Sequence, residues 1–187
     1  MPDDFCNDPN VRSYVPNMAL NDSYDNWVNR FDLTCAPKSK ISLIGTAYFV
    51  GLICTMVILP RFSDLYGREK MLKVANLLSA IAVGIMIVTE NYPMLIATMA
   101  TLGATSTVSM QVMAIYMYEN MNKVNYTNMM TVTSMGQGLV AVGVVVYFTY
   151  ASKSALWLLL IAFMMQICGG MMSLFMYESP KFLIKSG

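Results

Sequence analysis

The sequence predicts an all-α integral membrane protein with five transmembrane helices. Three observations predict it. Only 12% of the 187 residues are charged and 56% are hydrophobic, whereas a soluble domain carries about a quarter charged residues. The apolar residues gather in five runs, at 41–59, 71–89, 93–118, 129–150 and 154–177. Each approaches or exceeds the roughly 20 residues with which a helix crosses a bilayer. No Asp, Glu, Lys or Arg lies near the middle of any run, as the cost of a charge in hydrocarbon requires.

The same composition excludes several functions. A net charge of +1 offers no electrostatic footprint for nucleic acid. The chain has no His, so imidazole catalysis and the commonest metal ligand are absent. There is no CxxC pair, no phosphate-cradling loop and no nucleophile–base pairing. We therefore expect neither an enzyme nor a cofactor. The 19 Met residues read as flexible apolar filler.

Residues 1–40 form a polar extramembrane segment rich in Asp, Asn and Pro, with six of the eleven acidic residues. It lacks the basic-then-apolar pattern of a signal peptide. Asn21-Asp22-Ser23 is a glycosylation acceptor pattern if the segment lies outside the cytosol. Cys6 and Cys35 would pair as a disulfide in an oxidising compartment. Cys54 and Cys168 fall inside apolar runs and read as small buried hydrophobes.

The five-helix bundle, residues 41–177, follows. Between its first two helices, 60–72 reads as a tight, charged loop at a membrane surface, with Gly67 permitting the turn. Arg61, Arg68 and Lys70 cluster there, and Lys73 follows just inside the next helix. Pro93 suits the first turn of the third helix. Residues 60–70, 119–128 and the tail at 178–187 share one side and hold Arg61, Arg68, Lys70, Lys123, Lys181 and Lys185. The positive-inside rule puts that side, with the C-terminus, in the cytosol and residues 1–40 outside. Lys38 and Lys40, beside the first helix, run against this assignment.

Small residues recur at packing distance in the spans. Ser134 with Gly138, and Gly169 with Ser173, are four apart and would let helices approach closely. Thr98, Thr101, Thr105 and Ser109 share one face of the third helix. Such a stripe either lines a cavity or bonds back to its own helix carbonyls at a helix contact; the second is the more ordinary. Gln111, Gln137 and Gln166 each bring an amide into a span, and each must be satisfied in the bundle or by water. Gln137, between Gly136 and Gly138, is the preferred pathway-lining residue.

The stretch at 60–72 resembles the signature of the major facilitator superfamily between its second and third helices, Gly-x-x-x-Asp-Arg-x-Gly-Arg-Lys/Arg with a later apolar residue. Asp64, Gly67, Arg68 and Leu72 match in register; Pro60, Leu65 and Glu69 replace the first Gly, the first Arg and a base. Glu178-Ser179-Pro180-Lys181-Phe182-Leu183 resembles the stretch after the sixth helix in sugar porters and organic cation or anion transporters. Asn26 to Cys35, ending Phe31-Asp32-Leu33-Thr34-Cys35, resembles the organic-ion transporters' segment before the second helix, and Glu119 falls where they carry Glu at the cytosolic end of the fourth. Met99 and Tyr126 stand where two of their arginines are expected.

The resemblance implies an incomplete N-terminal six-helix bundle, holding the second to sixth helices, in a multi-pass protein of the plasma or another cellular membrane. It implies a cytosolic charge network of Asp64, Arg68, Glu119 and Glu178, turned at Gly67. It also implies alternating-access facilitation or exchange of small organic ions or sugars, with a second membrane chain or a further copy supplying helices within the lipid bilayer. The alternative expectation is a transport-inactive structural subunit of a larger membrane complex.

Overall fold

The computed structural model describes residues 27–31, 33–151 and 154–175. A short helix α1 (Trp27–Arg30) precedes five long ones: α2 (Lys38–Tyr66), α3 (Arg68–Val88), α4 (Tyr92–Asn120), α5 (Lys123–Val146) and α6 (Ala155–Leu174). A π-helical turn, Tyr147–Ala151, extends α5. Asn21, Cys6 and Glu178 lie outside the described residues. Cys35 is disulfide-bonded; Cys6, the partner the sequence offers it, is among the residues not described.

The charged stretch at 60–72 is not the loop the sequence suggested. Helix α2 continues through Pro60 to Tyr66, and α3 starts at Arg68. The whole turn is one residue, Gly67, at φ 89° and ψ 150°. That region belongs essentially to glycine, and no loop residue is needed once glycine supplies it. Likewise 119–128 reduces to Met121 and Asn122 between α4 and α5. Apolar runs underestimate these helices because charged residues continue the helical backbone past the hydrocarbon.

Among the described residues, four helices are long and apolar enough to cross a membrane: Lys38–Leu59, Arg68–Val88, Lys123–Tyr150 and Ala155–Leu174. Four of the five expected spans meet that measure. Helix α4 falls out because Thr98, Thr101, Thr105, Ser106, Thr107, Ser109 and Gln111 dilute its apolarity. It is nonetheless 29 residues long, as is α2, or about 43 Å at the helical rise.

Helices α2 and α4 run parallel, with α3 antiparallel to both. At one end the Tyr92 hydroxyl donates to the Lys40 carbonyl at 2.6 Å. Midway, Tyr48 Oη and Ser106 Oγ are 3.0 Å apart. Near the other end Leu59 of α2, Leu72 and Ala75 of α3, and Val108 and Val112 of α4 form a buried apolar cluster. Helix α6 packs on α3, where Gln166 Nε2 donates to Asn76 Oδ1 at 3.5 Å. Arg30 donates to the carbonyl of Ile87, fastening α1 to the C-terminal turn of α3, where a cation complements the helix dipole.

Helix α5 stands apart: none of its residues is buried. The bundle's outer surface is apolar, with Phe49, Ile53, Val57, Leu77, Met165 and Met172 all exposed. A surface of this kind suits lipid, which needs no polar coat. Exposed aromatics mark the span ends, Phe62 stacked on Tyr66 at the Gly67 end and Tyr150 and Trp157 at the other, the habit of aromatic side chains at membrane interfaces.

Candidate functional site

At the Gly67 end, two chain reversals, at Gly67 and at Met121–Asn122, lie beside the buried cluster of Leu59, Leu72, Ala75, Val108 and Val112. Because the turn is a single residue, Arg68 is the first residue of α3. Glu119 is the penultimate residue of α4. The two side chains form an ion pair, with 18% and 8% of their surfaces exposed. Each charge sits on the wrong helix end: a cation at an N-terminus and an anion at a C-terminus oppose the dipole. Their mutual pairing offsets both penalties, so the contact couples the start of α3 to the end of α4.

Beside it, Glu69 pairs with Lys73 one turn along α3. Here the acidic residue is in the first turn, where the dipole favours it. Tyr126, at the position where the resemblance places an arginine, stacks edge-on against Tyr118 with ring centroids 5.3 Å apart. Asp64 lies on the last turns of α2. Arg61 and Lys70 are exposed at this end.

The hydroxyls of α4 bond to their own helix. Thr98 donates to the Leu95 carbonyl, Thr101 to Ala97 and Thr105 to Thr101. The buried Thr107 donates to Gly103 at 3.0 Å and to Leu52 of α2 at 3.5 Å. This face is a helix contact rather than a cavity wall.

The closest approach of two helices lies where the sequence reading did not look. A Cβ on Gly51 would stand 2.0 Å from the Ala100 carbonyl oxygen, and one on Gly103 1.9 Å from that of Tyr48. By contrast, Gly138 and Gly169 have nothing within 4 Å of a built Cβ, and Ser134 is exposed. The expected packing pairs of α5 and α6 therefore hold no contact among the described residues at their glycines. The signal is Gly51 on one helix and Ala100-x-x-Gly103 on another, small residues whose pairing across two helices no spacing within either helix reveals.

The three glutamines are spread over three helices. Gln166 of α6 is spent on Asn76. Gln111 is half-buried on α4, and Gln137 is exposed on α5. Gln137 lies at the midpoint of the Lys123–Tyr150 span, with open space where side chains on Gly136 and Gly138 would go.

A family model described as sugar (and other) transporter matches residues 10–187. No curated protein matches the chain. With the family match covering all but the first nine residues, the chain belongs to the sugar (and other) transporter family of the major facilitator superfamily, as a multi-pass integral membrane protein.

Proposed function

We propose that the chain is part of an alternating-access facilitator or exchanger of small organic ions or sugars. The observation that carries this reading is Gln137, exposed at mid-span on a helix that buries none of its residues. An amide at that depth is costly against lipid, so its face is covered by water or by further protein. A midplane polar group on a shared face is where transporters of this architecture hold substrate. Gln111 of α4 is the second pathway residue. Organic ions are the substrate class that the Phe31–Cys35 and Glu119 resemblances support.

The Arg68–Glu119 pair acts in this reading as the gate on the cytosolic side, with Asp64 and Glu178 as its further members and Gly67 as its turn. No Asp, Glu or His lies mid-span, which favours facilitation or exchange over proton coupling within these helices. The substrate pathway closes only when further helices cover α5.

The test is uptake into proteoliposomes of a labelled organic cation, an organic anion and a hexose. Saturable flux of one of them, lost in Gln137→Leu while the variant stays folded, is the expected result. Flux unchanged by that substitution removes Gln137 from the pathway. A second reading, a transport-inactive packing subunit, is favoured by the bare face of α5. It is the outcome if the chain is recovered only in a stoichiometric complex with no flux.

A further inference from the structure

We propose that the groove between α3 and α6 holds one acyl chain of a zwitterionic phospholipid, with the headgroup seated at the C-terminal end of α3. The groove is a shallow, open hollow of about 450 Å³ lined by Ala80, Ile81, Gly84, Ile85 and Val88 of α3 and Phe163 of α6. Gly84 lies on its floor facing Phe163: a Cβ there would touch the Phe163 ring at 3.5 Å, an ordinary contact, and a longer side chain would fill the hollow. Its lining carries no charge and no hydrogen-bonding side chain.

At its end the groove continues into a second hollow of about 390 Å³, sharing Ile85 and Val88 and rimmed by Thr89, Glu90 and Asn91. From Ala80 to Val88 a helix rises about 12 Å, against roughly 15 Å for one leaflet's half of the hydrocarbon core. The polar rim therefore falls at headgroup depth. Both signs of charge are present there. Glu90 is exposed and makes no ion pair among the described residues. Arg30 already reaches the Ile87 carbonyl and keeps further guanidinium donors for a phosphate oxygen. An ammonium on Glu90 and a phosphate on Arg30 match a choline or ethanolamine phospholipid, and a purely anionic headgroup leaves Glu90 opposed. This inference stands independently of the transport reading, since it needs only the α3–α6 pair in a bilayer.

The experiment is native mass spectrometry of the full chain in mild detergent, titrated with phosphatidylcholine or phosphatidylglycerol of identical acyl chains. We expect one phosphatidylcholine retained per chain, about tenfold in preference to phosphatidylglycerol, a difference ordinary for one added charge contact. Gly84→Leu, which fills the groove, removes retention of both lipids. Glu90→Gln, on the exposed rim and neutral to packing, keeps a bound lipid but loses the headgroup preference. Equal retention of both lipids by the unaltered chain overturns the proposal, as does retention unaffected by both substitutions. Disulfide capture of a second polypeptide through Phe163→Cys in native membranes also overturns it, because protein then covers the groove.

Discussion

Gly103 and Gly138 look alike in the sequence, each a glycine inside an apolar helix, yet they carry opposite expectations. A methyl on Gly103 meets the backbone oxygen of Tyr48 at 1.9 Å, and backbone cannot step aside as a flexible side chain can. Gly103→Ala is expected to cost roughly 2–3 kcal/mol through overpacking. Gly138→Ala meets nothing within 4 Å and is expected to be neutral or to stabilise by up to about 1 kcal/mol through helix propensity. Thermal unfolding of the two variants in the same detergent decides it; equal melting temperatures refute the close α2–α4 contact. The ion pair at the Gly67 end makes a second residue-level prediction. Arg68→Ala takes the paired cation away from Glu119, whose side chain is 8% exposed, at a helix end whose dipole repels it, and should cost roughly 3 kcal/mol. The double variant with Glu119→Ala should lose less than the two single losses added together, with a coupling of about 1–3 kcal/mol. Strict additivity would mean the two charges do not interact.

At the scale of elements, the unexpected feature is that α2 does not stop at the membrane. Pro60 cannot donate to the helix ladder, and a charged run after an apolar one reads as a loop. The backbone nevertheless stays helical to Tyr66, and the reversal is left to Gly67. Amide hydrogen exchange should thus be slow through residues 62–66 and fast only around 67. Fast exchange across the whole of 61–70 would restore the loop. Gly67→Ala forces φ 89° on a residue with a Cβ, a strain of about 1–3 kcal/mol, and should loosen the Arg68–Glu119 contact as well as the turn. Helix α4 shows the reverse lesson. Its hydroxyls lower its apolarity, but most are consumed by carbonyls of their own helix, so that polarity is largely satisfied within α4 itself.

For the whole molecule, the question is what covers α5. Three neighbours of the ion-paired end, α2, α3 and α4, with α6 behind α3, share buried contacts, whereas α5 buries nothing. A lone helix with an exposed amide at mid-span is not a stable end state in hydrocarbon. The proposed transporter therefore needs further helices on this face. Gly138→Leu is expected to leave the melting temperature of the isolated chain unchanged while reducing both the yield of any larger complex and the flux through it. Size-exclusion profiles and proteoliposome uptake of the same preparation read the two effects together. A variant that changes neither would show that α5 faces lipid along its whole length.

Much of this was legible in the sequence for a simple reason. Apolar runs, their spacing and the glycine-punctuated charged stretch report on the solvent and on local backbone freedom, and these fix the class, the helices and the turn at Gly67. The Asp64-x-x-Gly67-Arg68 pattern also pointed to the superfamily that the match over residues 10–187 establishes. Sequence did not give the partners across helices. Tyr48 against Gly103, Gly51 against Ala100, Gln166 against Asn76 and Arg30 on Ile87 join residues 49 to 90 positions apart, and no local period encodes such distances. The sequence by itself determined that this is a helical membrane protein and where its chain turns. Only the tertiary structure decided which glycines are contacts, which glutamine is spent and which helix is left bare, because those depend on what the facing helix brings.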